Sequence, residues 1–88
     1  MDITEVRVKL LETDGKLKGI ANVTFEHVFV VNDIRIIEGD NGLFIAMPSK
    51  KTQSGVFKDI CHPIEKNFRQ KLESLILNKF HEEVKINQ

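Results

Sequence analysis

Cys61 and His62 are adjacent, and a thiol beside an imidazole is the pairing from which nucleophilic catalysis can be built. For that chemistry, nucleophile and base must meet within hydrogen-bond reach and be oriented by a third group, whereas neighbours on an extended strand point to opposite sides. The pair therefore reads as a small core cysteine and a histidine at a helix start, and no catalytic residue is assigned. His27 and His81 have no partner at metal-ligand spacing, so no metal site is expected. Asp33, Glu38 and Asp40 flank strand and turn positions, where acids serve solubility and turn geometry, and no glycine-rich phosphate loop accompanies them. These residues support no reaction class, no cofactor and no small-molecule substrate, and the chain is expected not to be an enzyme.

The cations suggest a different chemistry. The formal net charge is zero, which alone argues against a strongly electrostatic partner. Residues 1–47, however, carry five basic against eight acidic side chains, and residues 48–88 carry eight against five. Between Lys50 and Lys71 stand six cations and only two acids, Asp59 and Glu65. Lys50, Lys51, Lys58, Arg69 and Lys71 are the candidate binding residues, because phosphate recognition uses cations on exposed positions backed by a rigid scaffold. The positive end of the helix dipole near Pro63 is expected to favour an anion weakly. A lysine-rich loop is more often just a solvated surface, and composition alone leaves that alternative open. On a helical wheel Lys66 and Arg69 share a side with Glu73, while Lys71 lies toward the opposite flank, so the helix carries no continuous basic stripe. Lys79 falls on the apolar stripe, with its amine reaching outward.

About five strands and one helix must position these residues. Residues 3–11 alternate, with Thr4, Val6, Val8 and Leu10 on one side and Glu5, Arg7 and Lys9 on the other, as in a strand with one wet face. Asp14-Gly15 then suits a two-residue hairpin turn, and the returning strand places Leu17, Gly19, Ala21, Val23 and Phe25 on one face. Residues 28–37 are rich in β-branched side chains and apolar on both faces, which predicts a long strand with a second surface covered by something else, such as another subunit. Leu43 to Met47 form a short strand ended by Pro48, residues 48–55 a basic loop, and Val56 to Cys61 a fifth strand. Pro63 suits the first position of a helix whose apolar stripe is Ile64, Phe68, Leu72, Leu75, Ile76 and Phe80, running to about Glu83, with Leu77 off the stripe. The expected fold is α+β: an antiparallel sheet with the C-terminal helix packed on one face.

Length and composition bound the rest. With 88 residues the chain is expected to form a single domain over residues 1–88, and 41% apolar with 30% charged content is ordinary for a globular protein. One cysteine allows no intrachain disulfide. No run of about 18 apolar residues is present, and the N-terminus lacks the layout of a signal peptide, so no membrane insertion and a cytoplasmic location are expected.

The segment from Phe29, FVVNDIRIIEGDNGLFIAMPSKKT, followed by GVFKDICHPI from Gly55 and by Arg69-x-Lys71, closely resembles the stage V sporulation protein G family, also called septation proteins. The likeness extends from the N-terminal strand to about His81, and the run from Asn41 to Thr52 is its most specific part. This resemblance implies a bacterial regulator linked to sporulation, septum formation, cell division and virulence-gene control, and acting as a site-preferring DNA- and RNA-binding homodimer. It also implies a β-sheet with a C-terminal helix whose basic residues contribute to binding. By position, Lys50 and Lys51 stand where the family has a Lys-Arg or Arg-Arg pair, Lys58 stands at another basic family position, and Arg69 and Lys71 match the helix's Arg-x-Lys. Lys66 has no basic counterpart there, and the longer acidic tail of many members is not present in this sequence, which ends at Gln88. The alternative expectation is a protein-interaction module of the division or sporulation machinery. It would use an exposed strand edge or Leu77 and would not bind nucleic acid directly.

Overall fold

The first half of the chain alternates with period two and the last quarter repeats in steps of three and four, and the architecture follows that division. A computed structural model describes residues 1–87, in which six strands precede one helix: β1 (Ile3–Leu10), β2 (Leu17–Phe25), β3 (Phe29–Gly39), β4 (Gly42–Ala46), β5 (Ser49–Lys51), β6 (Phe57–Asp59) and α1 (Lys66–Ile86). Strands β1 to β4 form an antiparallel meander in that order, and β5 with β6 forms a separate two-stranded ribbon. The α+β fold expected from the sequence is borne out, with six strands divided between two sheets where about five in one sheet were expected.

The core lies between α1 and one face of the meander. Ala21, Val23 and Phe25 of β2 are buried there with Ile34 and Ile36 of β3, Ile45 of β4, Met47, and Leu72, Ile76 and Phe80 of α1. The expected inner face of β2 holds except at Leu17, which pairs with Ile37 while Gly19 pairs with Ile36. One extra β2 residue at this point turns Leu17 to the outer face. A second bulge explains the two apolar faces of β3: Ala21 pairs with Ile34 but Val23 with Val31, so β3 carries the extra residue. Asp33 takes the left-handed conformation there (φ 64°), and its N–H donates to Asn22 Oδ1 at 3.1 Å. The bulge lets Val31, Ile34 and Ile36 all face the core although their spacing breaks strict alternation.

The β1–β2 hairpin also forms, but not through a two-residue Asp-Gly turn. Residues 11–16 connect the strands; Leu11 N–H donates to the Lys18 carbonyl at 3.0 Å, and Thr13 Oγ1 accepts from Gly15 N–H at 3.1 Å and donates to the Leu17 carbonyl at 3.0 Å. The tight turn falls instead at Glu26 and His27, both left-handed (φ 53° and 60°), closed by Val28 N–H to the Phe25 carbonyl at 3.0 Å. Non-glycine residues are held in this costly conformation by the N-terminal segment, since Glu26 N–H donates to the Asp2 carbonyl at 2.9 Å and His27 N–H to Thr4 Oγ1 at 3.0 Å.

Helix α1 starts three residues later than Pro63 would place it. Glu65 is the N-cap, extended at φ −118° and ψ 127°, and its carboxylate accepts from the N–H groups of Asn67 (2.9 Å) and Phe68 (2.8 Å). Pro63 and Ile64 therefore precede the helix, and Ile64 is exposed instead of joining the stripe. The buried side runs Phe68, Leu72, Ile76, Phe80 and Val84 in steps of four, which leaves Leu75 at the surface and brings Leu77 partly against the core, the reverse of the expectation for both. Gly19 makes room for this packing, since a Cβ there would sit 3.4 Å from Phe80 Cδ1 and 3.1 Å from the Lys9 carbonyl. Glu73 Oε2 accepts from Ile45 N–H at 3.1 Å, satisfying a donor on β4, an edge strand of the sheet. Among the described residues no helix is long and apolar enough to cross a membrane.

Candidate nucleic-acid interface

The segment expected as a basic loop is a structured hairpin. Ser49 pairs with Asp59, Lys50 with Lys58, and Lys51 with Phe57, so the expected fifth strand is shorter than Val56 to Cys61 and joins the ribbon instead of the main sheet. The tip is closed by Thr52 N–H to the Val56 carbonyl (2.8 Å) and Gly55 N–H to the Thr52 carbonyl (2.9 Å). Gly55 supplies the positive φ of 86° that the turn requires. At the base, Ile60 N–H donates to the Pro48 carbonyl at 2.7 Å. Arg35 Nη2 donates to the Met47 carbonyl at 3.2 Å and to Ser49 Oγ at 3.1 Å, tying the ribbon to the outer face of the meander.

This pairing decides where the cations go. Lys50 and Lys58 are directly opposite, which puts their side chains on one face of the ribbon with Cβ atoms roughly 5 Å apart. Like charges so placed repel, and neither lysine is offset by a carboxylate: the ion pairs among the described residues are Arg7 with Glu5 (3.2 Å) and Lys79 with Glu83 (3.7 Å). An anion bound between the two amines would convert that repulsion into attraction. Lys51 points to the reverse face beside Phe57, and all three lysines are exposed.

The helix cations do not join them on one surface. Arg69 and Lys71 are two residues apart and hence about 200° apart around α1. Arg69 is half-buried on the side toward the core, Lys71 is exposed on the other, and the chief neighbours of α1 are β1 and β4, not the ribbon. The helix N-terminus is not an open anion site either, because the Glu65 carboxylate already accepts from the N–H groups of Asn67 and Phe68. The structure thus brings together Lys50 and Lys58, sets Lys51 behind them, and leaves Arg69 and Lys71 on separate sides of α1.

Cys61 is half-buried beside an apolar cavity instead of inside the core, and His62 Nδ1 lies 3.2 Å from the Pro63 carbonyl. Among the described residues no three His, Cys, Asp or Glu side chains converge as metal ligands. Sequence reasoning missed two residues of the ribbon region. Arg35, a lone cation inside an apolar strand, was a readable signal; Phe57, exposed over 66% of its surface opposite Lys51, depended on a register that local patterning does not give.

The family model described as SpoVG matches residues 1–82, which takes in all six strands and most of α1. The chain belongs to the SpoVG family. Among its SpoVG relatives, the "Putative septation protein SpoVG" of Thermoanaerobacter sp. is 58% identical over 80 residues, covering 91% of this chain and 87% of that one. The protein of the same name from Bacillus subtilis is 51% identical over 81 residues, covering 92% and 84%. The resemblance drawn from residues 29–71 is therefore borne out across nearly the whole length.

Proposed function

We propose that this SpoVG-family chain is a nucleic-acid-binding regulator, not an enzyme, which acts in the cytoplasm on DNA or RNA and contributes to septation, as the names of its relatives suggest. One observation carries this reading: Lys50 and Lys58 are cross-strand partners with no carboxylate to offset them. A protein gains nothing in stability from such a pair, and phosphate is the ligand that two neighbouring ammonium groups on a projecting ribbon fit. Lys51 extends the cationic surface around the ribbon, while Arg69 and Lys71 reach phosphates only if the strand continues past the ribbon onto α1. A homodimer doubles the cations per particle, and the exposed Val28, Phe29 and Val30 supply apolar area for a second copy. The direct test is fluorescence anisotropy of labelled DNA and RNA with the wild-type chain and with Lys50→Ala/Lys58→Ala. Binding that weakens across all sequences in the variant supports the reading, and unchanged affinity removes the ribbon from the interface.

A second reading has its own observation. An open apolar cavity of about 200 Å³ lies between the start of α1 and β3, lined by Phe25, Phe29, Val31, Phe68 and Leu72. It suits a protein contact of the division or sporulation machinery. Pull-down that survives nuclease treatment, with no binding to any DNA or RNA, would favour this alternative.

A further inference from the structure

We infer that the reverse face of the ribbon is a seat for an unpaired nucleobase, a contact that a single strand makes in addition to the phosphate contacts it shares with a duplex; this rests on the nucleic-acid reading above. Phe57 exposes 66% of its surface although it lies in a strand, and β6 contributes no buried residue to any core. Its ring is a wall of the groove between the ribbon and the outer face of the meander, a groove that also holds Ile20, Arg35, Ser49 and Ile60. The groove thus offers an aromatic ring, aliphatic side chains and polar groups together in its lining. Aromatic side chains beside cations are how proteins hold single strands, since every base has a π-face to stack while the phosphates run along the positive charge. A base inside a duplex has no free face to offer.

The surrounding chemistry fits a nucleotide better than an apolar protein segment. Lys51 is the direct cross-strand neighbour of Phe57, so its ammonium stands where a phosphate flanking the stacked base would run. Arg35 uses Nη2 for the Met47 carbonyl and Ser49 Oγ, and no carboxylate among the described residues pairs with its guanidinium. The one acid of the groove, Asp33, is an acceptor for the exocyclic amine of a base, beside the donors of Arg35 and Ser49. A base edge with both acceptors and donors is satisfied by that set, whereas an aliphatic peptide side chain would leave it unpaired.

The experiment compares a mixed-sequence single strand with the same sequence closed into a hairpin duplex, by anisotropy at fixed moderate salt, for wild type, Phe57→Leu and Phe57→Tyr. Phe57→Leu keeps apolar bulk but loses the π-face, and is expected to weaken single-strand binding by about 5- to 100-fold, while Phe57→Tyr retains it. Duplex binding should be unaffected by both. A 2-aminopurine placed in the single strand should lose fluorescence on binding wild type and keep it with Phe57→Leu. Single-strand affinity unchanged in Phe57→Leu, or equal losses on single strand and duplex, overturns the base seat. If that happens while Lys50→Ala/Lys58→Ala still weakens binding, the nucleic-acid reading stands without the seat. If wild type binds neither ligand, both fall.

Discussion

Replacing Lys50 and Lys58 together should change not only the affinity for nucleic acid but its dependence on salt. If the ribbon binds nucleic acid as proposed, its three lysines neutralise about three phosphates per chain, which gives log K against log salt a slope of about −2.7 on duplex DNA or about −2.1 on a single strand. Between about 50 and about 200 mM salt, wild-type affinity for duplex should then fall about 40-fold per chain engaged. With only Lys51 left the slope shrinks to about −0.9, and the same salt step costs about 3.5-fold. If two chains engage together both slopes double, so the ratio between variant and wild type is preserved whatever the oligomeric state. Anisotropy titrations at four or five salt concentrations measure the slopes, and Lys66→Ala, which removes a cation outside the ribbon, serves as the control and should leave the slope unchanged. A variant that binds more weakly with an unaltered slope would refute the reasoning, because the lysines would then act through structure and not through phosphates. A flat response of the wild type would refute it more completely.

Three further predictions concern the scaffold. Ile76 is fully buried between α1 and the sheet, so Ile76→Ala should cost about 2–5 kcal/mol, readable as a lower denaturant midpoint at unchanged m-value. Gly19→Ala would press a Cβ to 3.1 Å from the Lys9 carbonyl and 3.4 Å from Phe80, and should lose about 1–3 kcal/mol in the same assay; a neutral result would mean that both the β1 backbone and the Phe80 ring give way without cost. Glu73→Ala removes the acceptor for Ile45 N–H, and should cost about 1–2 kcal/mol and also raise self-association in sedimentation velocity, because it uncovers a donor on the β4 edge.

The parts of the fold that were legible in the sequence are those set by local periodicity. Alternation places Ala21, Val23 and Phe25 inward, and the four-residue repeat from Phe68 to Phe80 marks the buried side of α1. The misread elements are those where a contact distant in sequence takes over. Glu26 and His27 form the tight turn because Asp2 and Thr4 hold them, while Asp14-Gly15, the stronger local signal, sits in a longer connection organised by Thr13. Leu17 changes face through a bulge at its neighbour Lys18, which no alternation reveals. In the candidate interface the basic cluster was visible as composition, but which lysines share a face depends on the register of β5 against β6. Acid-free polar residues read as a loop because their pairing partners lie across a turn instead of in a periodic run. The separation of Arg69 from Lys71 was in the sequence throughout, since two helical steps always point to different sides.

The ribbon is built so that its side chains are free of the core while its backbone is not. Every β6 residue is exposed, so Lys58 and Phe57 answer to no packing constraint of the kind that fixes Ile36 or Ile76. The backbone is held by hydrogen bonds at the tip and at the base, and Arg35 anchors it through the Met47 carbonyl and Ser49 Oγ. Flexible side chains on a fixed backbone are what phosphate binding needs: the amines adjust to the ligand, yet little backbone entropy is lost on binding. The same construction tolerates the Lys50–Lys58 repulsion, because exposed amines in water repel weakly enough for the hydrogen bonds to prevail. It follows that substitutions on the ribbon surface should act mainly on binding, and substitutions on α1 and the inner sheet mainly on folding.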